Sequence, residues 1–340
     1  MKLRSGLLGA ALLAACGGAS AQGSLVLYCG NVEDHCRAMV TAFERKTGIK
    51  VSMTRKSSGE IYAQLRAEAT NPRGDIWWGG SGDPHVQAAE EGLTQEYKSP
   101  NLGQLHGWAV EQWQRTKGRA VGVFAGAMGI GFNTRLIADK KIPEPRCWAD
   151  LLDPRLKDEV QVSDPNSAGT AYTALATIVQ LMGEEPAFDY LKKLHRNVNQ
   201  YTKSGAAPAK ALSLGETSVG INFQHDLVPF ILQGAPIKIV SPCEGTGYET
   251  GSMSLIKGAR NLKEAQTWYD WALTAEAQEV GPQAKVSFQV PSNKQARTAP
   301  EAPDFSRIKF IKYDFDKFGS SETRKRLLAR WTNEVKSLPK

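Results

Sequence analysis

The chain has 340 residues, more than one compact core usually carries, so two lobes are expected. Hydrophobic content of 41% beside 23% charged residues is ordinary for a globular protein and excludes disorder, collagen and a coiled coil. The 42 Lys and Arg against 35 Asp and Glu give a formal +7, but they are scattered, which argues against nucleic acid and suits the steering of small anions.

In chain order, Lys2 and Arg4 precede an apolar run at Leu7–Ala15, too short for a membrane span and fitting the core of an export signal. Two cleavage readings stand. Ala19-Ser20-Ala21 suits the ordinary signal peptidase, giving a signal peptide at 1–21; Leu13-Ala14-Ala15-Cys16 reads as a lipobox with Cys16 lipidated. Either exports the chain to the periplasm, and loss of Lys2 and Arg4 lowers the formal charge to +5. The four remaining cysteines are even in number for an oxidising compartment. Cys29 and Cys36 are close enough to pair with each other, leaving Cys147 for Cys243; free buried thiols are the alternative.

After the leader one grammar repeats. SLVLYCG (24–30) precedes a helix ending near Lys46, and IKVSMTRKSSGE leads into IYAQLRAEA. GDIWWGGSGD leads into a helix with Asp83 as N-cap and Pro84 as first residue. VQVSDPNSAG leads into TAYTALATIVQLMG, and SVGINFQHD into a helix near Leu227–Leu232. Strands alternating with helices predict an α/β fold with mainly parallel sheets flanked by helices. The glycine-rich stretch 120–133 reads as a strand crossing between lobes, and 237–257 as the return. The division is 22–123 plus 246–300 for lobe 1, and 124–245 plus 301–340 for lobe 2, with a cleft between. The basic Arg324–Arg330 segment reads as the solvated face of a C-terminal helix, and Glu90-Glu91 and Glu184-Glu185 as solvated helix ends.

Four strand-to-helix turns are rich in Ser, Thr and Gly. They are Ser57-Ser58-Gly59, the turn at Ser81, Ser167 to Thr170 through Gly169, and Ser204-Gly205-Ala206. Ligands of open parallel sheets bind at such ends, where free N–H groups and the positive helix end attract anions. Helix capping also explains each turn singly: Ser57 with Glu60 forms a capping box. Arg55 and Lys56 are expected to point into solvent. No nucleophile elbow, P-loop, HExxH or dinucleotide fingerprint occurs, so no catalytic residue, metal or cofactor is expected.

The blocks GDIWWGGSGDPH, NSAGTAYTALA, TKSGAAPAKA, GINFQHD and CEGTGYETGSMSLIKGARNL carry a resemblance covering nearly the whole mature chain. The chain resembles the two-lobed periplasmic solute-binding proteins of ABC importers, in the type II group that includes ferric-iron binders. It is most similar to the branch that binds phosphorylated hexoses. The resemblance implies a monomeric receptor that closes on its ligand and docks an inner-membrane permease. It also implies that the four turns hold a phosphate while His225, Asp226 and Glu249 read the sugar, with Glu244 as the fallback for Glu249. The iron binders hold their metal with adjacent tyrosines, and no Tyr-Tyr pair occurs here. Ferric iron and phosphonates or other organophosphates are the alternative ligands. A sensor module would need a signalling partner, and a hydrolase a nucleophile or metal set.

Overall fold

The computed structural model describes Gly23–Lys340; the leader, with its two cleavage readings and Cys16, lies outside the described residues. The strands are β1 (Ser24–Cys29), β2 (Lys50–Arg55), β3 (Ile76–Trp78), β4 (Thr94–Gln95), β5 (Val121–Asn133) and β6 (Val160–Ser163). They continue with β7 (Val198–Thr202), β8 (Val219–Phe223), β9 (Ile237–Val240), β10 (Tyr248–Ile256) and β11 (Val290–Pro291). Their main order is β2-β1-β3-β10-β5-β8-β6-β7.

The long strand β5 joins two halves of this arrangement. Its first part pairs antiparallel with β10, and its second with β8 and β9. The β1–β2, β1–β3, β6–β7 and β6–β8 pairs are parallel, as strand–helix alternation requires. Two apolar cores follow, one on each side of the crossing. Leu25, Phe43, Met253 and Trp268 belong to the first. Phe132, Trp148, Phe188 and Tyr172 belong to the second, joined from the C-terminus by Tyr313, Leu327 and Trp331. No helix among the described residues is long and apolar enough to cross a membrane.

Both disulfides form, Cys29–Cys36 and Cys147–Cys243, with Cα atoms 6.2 and 4.8 Å apart. The first ties the end of β1 to the helix Glu33–Thr47; the second ties the loop after β9 to the loop before Ala149–Leu152.

Two local expectations are corrected. The helix assigned to Asp83 and Pro84 begins at Gly82 with Ser81 as its N-cap residue. Extended backbone ends at Ser81, two residues earlier than an N-cap at Asp83 requires, and Pro84 still falls in the first turn, where no N–H partner is needed. The basic C-terminal helix, Ser321–Trp331, is not uniformly solvated: Arg324 is 2% exposed and lies 4.1 Å from the centre of the Tyr172 ring. Arg330 pairs with Glu185 at 2.7 Å and Arg326 with Glu184, so the Glu184-Glu185 pair is engaged by cations instead of water alone. Glu91 likewise meets Lys325 at 2.8 Å.

Candidate binding cleft

The groups that converge do so at the carboxyl ends of the parallel strands. Arg55 is the last residue of β2, and Ser57 and Ser58 open the helix Ser58–Ala67. Ser81 caps Gly82–Glu90, while Gly169 and Thr170 open Gly169–Met182. Ala206 precedes Ala207–Leu214, and His225 and Asp226 sit in a single 3₁₀ turn after β8. Glu249 is near the start of β10, directly across from Gly126 of β5. Strand and helix termini thus aim backbone and side-chain polar groups at a shared space between the halves.

That space is an inner cavity of about 400 Å³ between atoms, its mouth included. Ser57, Ser58, Ser81, Gly169, Thr170, Gly205, Ala206, His225, Asp226 and Glu249 line it. Three residues singled out in the sequence lie just behind its wall. The Gly59 N–H donates to the Ser167 carbonyl at 3.0 Å, joining the halves beside the cavity. Ser204 instead accepts from Arg55 Nη2 at 3.3 Å and lines an adjoining outer recess. Lys56 turns away to Gln64 Oε1 at 2.5 Å, and Glu244 accepts from the Trp148 and Ala149 N–H groups, removing it from the site.

Arg55 does not project into solvent as expected. It lines the cavity and donates from Nε to the Asn31 carbonyl at 2.8 Å. Burial pulls its pKa down, while Glu60, Glu33 and Asp226 favour its charge. Asn31 and Gln289 are cavity residues that the sequence reading missed. The Asn31 amide donates to Gln289 Oε1 at 3.3 Å and meets His35 Nδ1 at 3.0 Å.

The other end of the cavity is a buried acid–imidazole group. Ser81 Oγ donates to Glu249 Oε2 at 2.8 Å. His225 Nε2 lies 3.5 Å from Asp226 Oδ1 and 4.0 Å from Glu249 Oε1. Burial pushes the Asp226 carboxyl up to about 7, partly opposed by Arg55. Burial also carries Glu249 well above its ordinary range, against its Ser81 bond and with reinforcement from Asp226 and Asp83. The same desolvation lowers His225 to about 3, so its imidazole is neutral. Gln289 Nε2 meets His225 Nε2 at 3.3 Å; if the amide donates, the imidazole proton sits on Nδ1. His225 Nδ1 is buried with no protein partner, and the residue lines the cavity. Buried polar atoms are rarely left so, and here a ligand's hydroxyls or anionic oxygens have groups to engage.

Two glycines make room for these contacts. A Cβ at Gly126 would overlap the His225 ring, and one at Gly205 would overlap Thr170 Oγ1. Cys147, Cys243 and Glu244 cluster closely, but both sulfurs are spent in the disulfide and offer no thiolate to a metal.

The model of the bacterial extracellular solute-binding protein family matches residues 80–317. An uncharacterized protein of Haemophilus influenzae is 47% identical over 332 residues, 96% of this chain and 95% of that one. The periplasmic binding protein AfuA from Actinobacillus pleuropneumoniae, solved with exogenous fructose-6-phosphate bound, superposes with TM-score 0.89 at 44% identity, covering 93% of this chain and 100% of that one. The periplasmic binding protein P5PA gives the same TM-score at 37% identity, over 92% and 99% of the two chains. The iron-bound HitA of Pseudomonas aeruginosa shares the fold at TM-score 0.74 and 20% identity, over 90% and 98%.

Proposed function

The chain belongs to the family of bacterial extracellular solute-binding proteins, the binding components of ABC importers, and we propose that its solute is a hexose phosphate. The observation that carries this reading is the polarity of the inner cavity. At one end Ser58 and Thr170 stand at helix starts, and Ser81 links them to the other end through Glu249 at 2.8 Å. Their hydroxyls and the free N–H groups there suit a phosphate, whose charge the positive helix ends favour. At the other end Asp226 and Glu249 flank the neutral His225. Carboxyls and an imidazole both donate and accept in the patterns that ring hydroxyls need. The likeness to AfuA, solved with fructose-6-phosphate, agrees with that assignment.

Binding proceeds by closure, without chemical change to the sugar. The Gly59–Ser167 and Arg55–Ser204 bonds join the two halves, so each contributes to holding them together around a ligand. Only a ligand touching both halves shifts the balance toward closure. The halves proposed to move are 22–123 with 246–300 and 124–245 with 301–340, turning about β5 and the segment leading into β10. The closed monomer then delivers its cargo to an inner-membrane permease. Export rests on the leader at 1–21 or on lipidation at Cys16.

Isothermal titration of the mature protein with glucose 6-phosphate, inorganic phosphate and glucose tests the reading. Tight binding of the sugar phosphate alone, with a smaller radius of gyration in solution scattering, is the expected result. Preference for inorganic phosphate, an unchanged radius at saturation, or turnover of the sugar phosphate would overturn it.

A further inference from the structure

Beside the inner cavity lies an outer recess of about 1,050 Å³ measured in the same way, more than twice as large. The two share Val32, Arg55, Ala206, His225 and Asp226, which therefore form a neck between them. Resting on the hexose-phosphate reading, we infer that the outer recess is a second sugar subsite, so that the protein also takes phosphorylated disaccharides whose second ring is attached away from the phosphate.

Orientation comes from which groups face which space. Ser57, Ser58, Ser81, Gly169 and Thr170 line the inner cavity and not the recess. Three of the four turns therefore place the phosphate away from the neck, where Ala206 of the fourth turn and Arg55 stand, and Glu249 lies on the inner side beside Ser81. The hydroxyl-reading pair His225 and Asp226 stands at the neck, so the unphosphorylated end of the sugar faces the recess. A glycosidic substituent at that end leaves through the neck and enters the recess.

The recess has the chemistry of a neutral sugar site. Pro229 and Phe230 give it an apolar wall, and the half-buried Phe230 packs from behind against the Leu212–Leu227 cluster. Pyranose faces carry C–H groups that pack on such rings, while rim side chains meet the hydroxyls. Its exposed rim residues Glu33 and Asp34 offset Lys210 and Lys285, and at the neck Asp226 stands opposite Arg55. With both signs balanced, the recess gives a second phosphate no net attraction and accepts an uncharged ring. The Arg55–Ser204 bond at the neck spans the two halves, so the second ring is gripped by closure as the first is.

The test titrates the mature protein with glucose 6-phosphate, cellobiose 6′-phosphate and unphosphorylated cellobiose, then repeats the titrations with Phe230→Ala and Gln233→Ala. Gln233 is exposed on the recess, so its variant folds independently of any packing role of Phe230. Cellobiose 6′-phosphate is expected to bind within about tenfold of glucose 6-phosphate, and cellobiose not detectably. Each variant should weaken the disaccharide phosphate by about fivefold and leave glucose 6-phosphate unchanged, which also shows that it is folded. Binding of glucose 6-phosphate without cellobiose 6′-phosphate, or variants that affect both ligands equally or neither, would overturn the subsite and leave the hexose-phosphate reading standing. Failure of both phosphates to bind would overturn the two together.

Discussion

Replacing Asp226 with Asn should stabilise the ligand-free protein while impairing it as a receptor. The Asp226 side chain is 9% exposed, and burial moves its pKa from an ordinary 3.8 to about 7. Because the folded state holds the proton more tightly than the unfolded chain, this group's contribution is most favourable below pH 4. It declines as pH rises and is fully lost above about 7. At about 1.4 kcal/mol for each pH step, the cost of this buried carboxylate reaches about 4 kcal/mol at pH 7.5 and about 1.5 kcal/mol at pH 5. An asparagine carries no such cost. The gain of Asp226→Asn over the wild type should therefore be about 2–3 kcal/mol larger at pH 7.5 than at pH 5. Comparing variant with wild type at each pH cancels the opposite contributions of His35 and His85, each lowered to about 3 by burial, which weaken the fold as pH falls through 6.5. Urea unfolding of both proteins at the two pH values is the assay. A variant that is less stable at both, or a difference that does not change with pH, would refute the reasoning. The same variant should lose about 1.5–3 kcal/mol of hexose-phosphate affinity, the scale of a hydrogen bond to a charged group. Stability gained where function is lost is the pattern of a residue retained for its ligand.

Glu249→Ala should cost glucose 6-phosphate a similar 1.5–3 kcal/mol in titration calorimetry and affect inorganic phosphate far less; equal losses would make Glu249 a support of the fold. Thr170→Val and Ser58→Ala should each weaken glucose 6-phosphate about tenfold or more, Ser58→Ala also stranding the Ser81 N–H that it accepts at 3.1 Å; unchanged affinity in both would place the phosphate elsewhere. Gly205→Ala should abolish binding in the same assay, because its new methyl overlaps Thr170 Oγ1, while circular dichroism remains that of a folded chain. Opening Cys147–Cys243, whose partners are 96 residues apart, should lower unfolding free energy by about 4–5 kcal/mol on the loop-entropy account, read by denaturation of the Cys147→Ser, Cys243→Ser double variant beside the wild type without reductant.

What the sequence made legible was local. Strand–turn–helix succession, the Ser and Gly turns and the Cys29–Cys36 spacing are each decided within about a dozen residues and appear in the structure, and Cys147–Cys243 followed because those two cysteines remained. Arg55 was misjudged although a local signal existed. Along β2 the half-buried residues are Val51, Met53 and Arg55, alternating with exposed Lys50, Ser52 and Thr54. Period-two alternation puts Arg55 on the inward face and leaves Lys56 to the other side. Asn31 and Gln289 had no such signal: their mutual bond joins positions 258 apart, and only the closed topology brings them to one wall.

Arg324 shows why a residue's type can mislead when its spacing does not. Arg324, Leu327, Trp331 and Val335 all lie buried at intervals of three and four, so the arginine occupies the apolar stripe of its own helix. Desolvation lowers its pKa, opposed by Tyr172, Asp83 and Tyr313. It is reciprocally one of the charges that restrain Asp83, which burial raises to about 6. Asp83 stands two residues after Ser81, the residue that donates to Glu249. A cation from the C-terminal helix thus reaches the helix whose first turn borders the cavity, and Lys325–Glu91 repeats that link at its far end. Burying such a charge costs stability unless its surroundings compensate, and hydrophobic packing alone would favour a leucine there. Arg324 and Asp83 are buried between the C-terminal helix and Gly82–Glu90, and Asp226 and Glu249 line the cavity, whereas the buried Asp75 lies apart, accepting from Val26 and Asn261. Buried polar groups of this kind recover water when the halves part, so they oppose opening less than apolar packing of the same area would.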